Sequence, residues 1–245
     1  MKRIAYILLA ATGLLTLNSC RFVHVSDELN EKVENGEISW MGEGSSSKSI
    51  TASNNYITRE DVTGEFHSLT CNLPGDVIYT PGDCAVKINA PDNILDHVTV
   101  INENGTLQIK SNLGRIRNLK KITVTVSSPV LESVNFNGAV DFNAPDGITA
   151  LNFNAVVNGA GDIDIAGLEA NEVNVTVNGA GDADISKIDC DVLTVAINGA
   201  GDAVLSGKSG SAELSISGAG DIDARGLDCA DINSRVRGVG SIKRP

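Results

Sequence analysis

The motif Asn-Gly-Ala-Gly-Asp returns about every 20 residues in the second half of the chain, and this periodicity leaves few folds open to it. The motif occupies residues 158–162, 178–182, 198–202 and, with serine in place of asparagine, 217–221. Looser copies occupy residues 137–141 and 237–241. A repeat of this length is typical of solenoid proteins, because one unit cannot bury its apolar face alone and must stack on its neighbours.

The residues on either side of the motif predict two short strands in each repeat. When the copies are aligned, apolar residues fall into columns. Before the motif, these are Val157, Val177, Ile197, Ile216 and Val236, and Ala155, Val175, Val195 and Leu214 with Ser234; after it, they are Ile163, Ala183, Ala203 and Ile222, and Ile165, Ile185, Leu205 and Ala224. Polar neighbours alternate with them, as in a strand with one buried face. We therefore expect an all-β fold, a right-handed parallel β-helix with coils of about 20 residues.

The first half of the chain predicts strands without a regular repeat. Short alternating runs separated by turn residues occupy 66–72, 76–80, 85–89, 97–102, 106–110, 122–127 and 131–136. No segment shows a 3.6-residue apolar period. We therefore predict one β-helix domain over residues 63–245, with irregular coils over 63–136 and regular repeats over 137–245.

The N-terminus has the features of an export signal. Lys2 and Arg3 precede a mostly apolar stretch, and Leu17-Asn18-Ser19-Cys20 resembles a bacterial lipoprotein cleavage box. We expect a signal peptide over residues 1–19, a lipid on Cys20 that attaches the protein to a membrane, and a polar tether over 20–62. An ordinary secretion signal followed by a chance cysteine is the alternative.

The net charge excludes nucleic acid as a partner. The chain has 19 basic and 31 acidic side chains, and loss of Lys2 and Arg3 with the signal leaves 17 against 31, a net charge of −14. Such a surface repels phosphate backbones and attracts cations.

Two columns of polar side chains are candidate functional features. Asp162, Asp182, Asp202 and Asp221 would stack about 4.8 Å apart and repel one another, which leaves two interpretations. Either the column binds a divalent cation, most plausibly calcium, or another surface partner, or each carboxylate accepts backbone hydrogen bonds within its own corner. No other cofactor is expected. Asn158, Asn178 and Asn198 are predicted to form a structural ladder of amides at the corner.

The cysteines after Cys20 lead to two expectations. Cys71 and Cys84 bracket a turn-rich stretch, so a disulfide between them and two free thiols are both open alternatives in an oxidising compartment. Cys190 and Cys229 stand at equivalent positions two repeats apart, about 9.6 Å along the axis. Since a disulfide needs Cα atoms within about 7 Å, we expect no bond between them.

The order and spacing of several motifs resemble the head GIN domain family of auto-transporter adhesins. The resemblance rests on the successive Gly-Ala-Gly corners, on Pro-Asp-Asn-Ile-Leu at 91–95, on Gly-Thr-Leu-Gln-Ile at 105–109 and on Gly-Val-Gly-Ser-Ile at 238–242. It covers about residues 63–243 and implies a right-handed parallel β-helix in an exported lipoprotein. It implies no catalytic or binding residues.

Together these features predict a binding protein rather than an enzyme. We expect a lipid-anchored adhesion module at the cell envelope, on the outer membrane, that presents a β-helix surface to protein or glycan; its periplasmic or outer orientation stays open. The alternatives are a structural, self-assembling module, which would form homo-oligomers, and a polysaccharide-active enzyme. The histidines His24, His67 and His97 all precede the repeats, and the repeats hold few aromatic side chains, which argues against a histidine triad or a sugar-stacking cleft.

Overall fold

The computed structural model of the protein describes residues 49–245. The predicted signal peptide, Cys20 and most of the predicted tether lie outside the described residues. Within residues 49–245, no helix is long and apolar enough to cross a membrane.

The described chain is built almost entirely of strands. These are β1 (Ile50–Thr51), β2 (Tyr56–Asp61), β3 (Ser68–Cys71), β4 (Gly75–Pro81), β5 (Ala85–Pro91), β6 (Val98–Glu103), β7 (Thr106–Ser111), β8 (Ile116–Arg117), β9 (Thr123–Ser128), β10 (Ser133–Ala144), β11 (Ile148–Thr149), β12 (Asn152–Ala160), β13 (Ile163–Ile165), β14 (Leu168–Ala180), β15 (Ala183–Ala200), β16 (Ala203–Asp228) and β17 (Asp231–Lys243). One short helix, α1 (Asp92–Leu95), follows β5. The predicted all-β class is confirmed.

The second half forms a parallel β-solenoid of about six turns with a spacing of about 20 residues. Val157 pairs with Val177, Val177 with Ile197 and Ile197 with Ile216, all in parallel register. Each of these side chains is at most 1% exposed. The predicted columns are therefore confirmed, and their members up to β16 form the solenoid core; Val236 and Ser234 of β17 lie in register but are exposed.

Each regular coil contains a third short strand segment that the sequence pattern did not predict. Leu168 and Ala170 are buried on either side of the exposed Glu169, and Ile188 and Cys190 repeat this arrangement one coil later, in register. The segment shows only three residues of alternation, too few to stand out as a strand in the sequence.

The glycine corners bring the backbones of successive coils into direct contact. Gly179 has φ of +141°, and a Cβ atom there would lie 1.9 Å from the carbonyl oxygen of Gly159. Gly161 has no positive φ, but a Cβ atom there would lie 2.0 Å from the carbonyl oxygen of Val140. The motif is therefore rich in glycine for two reasons, a positive φ at its first glycine and the close approach of neighbouring coils at both.

The first coils stack out of sequence order. Strand β10 pairs in parallel with β3 and β4, and these two pair in turn with β7 and β9. The coil of residues 68–81 therefore lies between the coil of residues 106–128 and β10. Buried Phe136 and Phe142 pack near this junction with ring centroids 5.2 Å apart.

The end of the stack opposite β17 finishes in antiparallel strands. Strand β5 pairs antiparallel with both β9 and β2, and β6 pairs antiparallel with β7. Strands β1 and β2 lie within residues 20–62, which the sequence assigned to the tether, so the folded body begins earlier than predicted. Composition concealed β2 because none of its six residues is buried. In the structure, Arg59 of β2 donates to the carbonyl oxygens of Leu95 and Val98 at 2.8 and 3.1 Å.

All four cysteines in the described residues are free thiols. Cys71 is buried and donates from Sγ to the carbonyl oxygen of Leu73 at 3.7 Å, so it forms no disulfide with Cys84 here. Cys190 pairs in register with Ser209, and its Sγ lies 3.4 Å from Ser209 Oγ. Burial raises the pKa of both Cys71 and Cys190.

Candidate binding surface

The corners display a face of stacked carboxylates, which we call the carboxylate face. Its first row contains Asp76, Asp141, Asp162, Asp182, Asp202 and Asp221. Its second row, two positions further along each coil, contains Asn143, Asp164, Asp184, Val204 and Asp223. The sequence predicted four members of the first row; the structure adds Asp141, from a looser copy of the motif, and Asp76, which no repeat marks.

Each first-row carboxylate of the regular coils binds the backbone of the neighbouring coil. The N–H groups of Asp182, Asp202 and Asp221 donate to Oδ1 of the preceding aspartate at 2.9, 2.8 and 2.7 Å. The sequence expected such bonds within one corner, and this is wrong in detail. The corner of the next coil supplies the donor because the stacked backbones bring it closer.

These hydrogen bonds offset the repulsion within the row. A hydrogen bond from a backbone N–H to a carboxylate oxygen is a strong, charge-assisted contact, and it recurs at successive steps of the stack. The row therefore has a structural function. This bond uses one oxygen, Oδ1, of each carboxylate.

Basic side chains stand at both ends of the first row. Lys121 contacts Asp76 at one end, and Lys243 Nζ lies 3.9 Å from Asp221 at the other. Ser241 donates to Asp221 through both its hydroxyl and its backbone N–H, at 2.9 and 2.7 Å. These bonds hold the pKa of Asp221 below its usual value.

The second row is less engaged than the first. Asp223 binds the guanidinium of Arg225, whose hydrogen bonds lower the pKa of this carboxyl to about 2. Asp184 accepts only a long hydrogen bond, 3.4 Å, from Ser186 Oγ. Asp164 is exposed, and no hydrogen-bond donor contacts it among residues 49–245. The carboxylates of Asp164 and Asp184 are therefore the ones most available to a partner.

A column of stacked asparagines lies at the end of the strand before each corner, and we call it the amide face. Asn158, Asn178 and Asn198 lie in register, and each Nδ2 donates to Oδ1 of the asparagine below it at 3.1, 2.9 and 2.9 Å. Asn137 continues the ladder to Asn72, 2.8 Å away. The amides join successive coils and fix the position of the corner.

Within residues 49–245, no group of three or more His, Cys, Asp or Glu side chains has an arrangement that holds a metal ion. The two histidines of this part of the chain lie near the irregular coils, where His67 Nδ1 is 3.1 Å from Glu132 and His97 Nδ1 is 3.2 Å from Asn112. Neither histidine is on the carboxylate face.

The fold is a parallel β-solenoid whose corners display stacked polar rows. The family model described as "Putative auto-transporter adhesin, head GIN domain" matches residues 65–186 and 167–243. The chain belongs to this family, which confirms the resemblance seen in the sequence. A comparison with curated protein sequences found no match.

Several solved structures have a similar fold. A "putative adhesin" of Bacteroides fragilis NCTC 9343 is 24% identical with a TM-score of 0.65, covering 80% of this chain and 99% of that one. A "putative adhesin" of Parabacteroides merdae ATCC 43184 is 19% identical with a TM-score of 0.71, covering 79% and 82%. A "putative lipid binding protein" of Parabacteroides distasonis ATCC 8503 is 17% identical with a TM-score of 0.52, covering 81% and 100%. At these identities the likeness shows the fold.

Proposed function

We propose that this protein is an adhesion module of the cell envelope whose carboxylate face binds a cationic protein surface. One observation carries the proposal: eight of the 14 acidic side chains of residues 137–224 lie on this face, and the same segment contains only two basic side chains. A field of one sign attracts a partner of the opposite sign and orients it.

The second row supplies the binding groups in this proposal. The first-row carboxylates already accept backbone hydrogen bonds, whereas Asp164 and Asp184 are exposed and little used within the protein. Two carboxylates one coil apart, at about 4.8 Å, suit lysine and arginine side chains on a partner. A glycan partner is less well supported, since exposed aromatic side chains that would stack on sugar rings are not found on either face in residues 49–245.

Binding to immobilised poly-L-lysine, with poly-L-glutamate as the negative surface, tests this proposal. We expect the chain to bind poly-L-lysine and the double variant Asp164→Asn/Asp184→Asn to bind at least about tenfold more weakly. The matched control is Glu169→Gln/Asp189→Asn, which removes two exposed carboxylates that lie in register one coil apart but outside the carboxylate face, and it should bind like the parent. Equal loss in both variants, or binding that is insensitive to salt, would contradict the proposal.

The attachment to the membrane is a separate part of the proposal. A lipid on Cys20 would hold the protein at the outer membrane, and the cleavage-box sequence supports this. Metabolic labelling with a radioactive fatty acid should mark the parent chain and leave Cys20→Ser unlabelled. Label retained by Cys20→Ser would exclude this anchor. In a separate experiment, protease treatment of intact cells shows which side of the membrane the folded body faces.

We further propose that the protein binds its partner without chemical turnover. Membership of an adhesin family supports this, as does the position of both described histidines away from the carboxylate face. Incubation with acidic polysaccharides should release no reducing ends. Turnover that disappears in Asp164→Asn/Asp184→Asn would instead assign this face to an enzyme.

A further inference from the structure

The C-terminal coil leaves the solenoid core open at one end. Among the described residues, β17 is the last strand of the stack and pairs only with β16. Val236 stands in the same column as Ile216, yet it is 41% exposed whereas Ile216 is 1% exposed. The 13 residues of β17 therefore present apolar side chains and one unpaired backbone edge, which is the arrangement that favours pairing with another strand.

Within residues 49–245, the opposite end of the stack offers no equivalent surface. It finishes in the antiparallel strands β2 and β6, each of six residues, and β2 carries the charged run Arg59, Glu60 and Asp61. Short edge strands discourage further pairing, and the charges of β2 add to this effect. Among the described strands, the one in a second copy that best suits β17 is therefore that copy's own β17, and such a contact closes as a symmetric dimer instead of growing into a fibre.

We propose that β17 is a dimerisation surface, in which the segment of residues 231–237 pairs antiparallel with the same segment of a second copy about a two-fold axis at Ser234. This register places Asp231 opposite Arg237 twice and Asn233 opposite Arg235 twice. It also places Ile232 opposite Val236 on the core side. The charges and the apolar positions of one strand thus complement themselves.

The self-complementary charges are what identify a second copy as the occupant. Arg235 and Arg237 are exposed, and neither forms an ion pair within residues 49–245. Asp231 is exposed as well, whereas the nearby Lys243 and Arg225 already contact Asp221 and Asp223. Opposite charges placed directly across an antiparallel strand pair stabilise that pair. The proposed register places Asp231 of one copy directly opposite Arg237 of the other.

The core positions favour the same register. Ile232 and Val236 pair with Ala212 and Ile216 of β16, which are 4% and 1% exposed. A second copy would extend these columns by one further rung and cover them. Burial of apolar surface and pairing of the edge then act together.

Charge reversal tests the register in the detergent-solubilised full chain. Light scattering after gel filtration should show a dimer for the parent, and Asp231→Lys and Arg237→Glu should each weaken the dimer about tenfold. The double reversal Asp231→Lys/Arg237→Glu should restore it. Both positions are exposed, so the fold should be kept, and a circular dichroism melt checks this.

Cysteine crosslinking tests the axis independently. Residues that face themselves across the axis have Cα atoms about 4.5–5.5 Å apart, which is within disulfide range, so Ser234→Cys should form a dimer under oxidation. Arg237→Cys would lie about 20 Å from its symmetry mate and should crosslink no more than the parent. Three results would each overturn the proposal. The parent could stay monomeric, or its dimer could be unaffected by either charge reversal. The third is a monomer in which residues 21–48 protect the β17 amides from hydrogen exchange.

Discussion

The backbone N–H of Asp182 donates a 2.9 Å hydrogen bond to Oδ1 of Asp162, one coil earlier in the stack. The same contact links Asp182 to Asp202 and Asp202 to Asp221. Although the row consists of like charges, it links successive coils, because each carboxylate accepts a hydrogen bond from the backbone N–H of the next aspartate in the row. Stability and surface charge depend on the same side chains.

We expect Asp182→Ala to lower the free energy of unfolding by about 1 kcal/mol, because the N–H of Asp202 loses its acceptor. Asp182→Asn keeps an oxygen at this position and relieves repulsion, so it should be at least as stable as the parent. Urea unfolding measures both. Asp164→Ala is the matched control and should change stability little; equal losses in Asp182→Ala and Asp182→Asn would show that the charge, not the acceptor, matters.

We expect Gly179→Ala to destabilise the protein by more than about 3 kcal/mol, or to prevent folding, because its Cβ would collide with the backbone of Gly159 at a positive φ. Gly167 has open space around a Cβ atom and no positive φ, so Gly167→Ala should stay within about 0.5 kcal/mol of the parent. Thermal melts and soluble yield compare the two. Tolerance of alanine at Gly179 would contradict the close approach of the coils.

The buried thiol of Cys71 should make the protein less stable in alkali. Burial raises its pKa from 9.0 to about 11, so between these values the folded protein keeps a proton that the unfolded chain releases. The stabilisation is present below pH 9 and is lost as the pH rises toward 11, by about 2–3 kcal/mol.

Chemical unfolding at pH 9 and at about pH 11 measures this loss. Cys71→Ala should be less stable at both values because it leaves a cavity, but its decline with pH should be smaller. The change in slope, not the absolute stability, is therefore the result to compare. An identical slope in the two proteins would exclude Cys71 as the source.

We expect calcium to leave the melting temperature unchanged. The first-row carboxylates of the regular coils are already stabilised by backbone N–H groups, and no metal-holding group of three or more ligands occurs in residues 49–245. Melts with added calcium and with a chelator measure this. A midpoint that rises with calcium in the parent and not in Asp182→Asn would instead favour the cation interpretation of Asp162, Asp182, Asp202 and Asp221.

Most of the regular solenoid could be predicted from the sequence, because its registers follow from a repeat. Equivalent positions of a 20-residue period must stack, so the pairing of Val157 with Val177 was already implied. The periodicity could not show which backbone N–H each aspartate binds. This depends on how closely adjacent corners approach, and only the tertiary structure decides that distance.

The sequence alone determined the all-β class, the 20-residue coil and the buried columns, since these depend on local alternation and on recurrence along the chain. The tertiary structure decided the order of the first coils. Ser68 lies between Thr106 and Ser133 in the stack, although it precedes both in the chain. No repeat marks these strands, so their order depends on which apolar surfaces fit together after the intervening loops have closed.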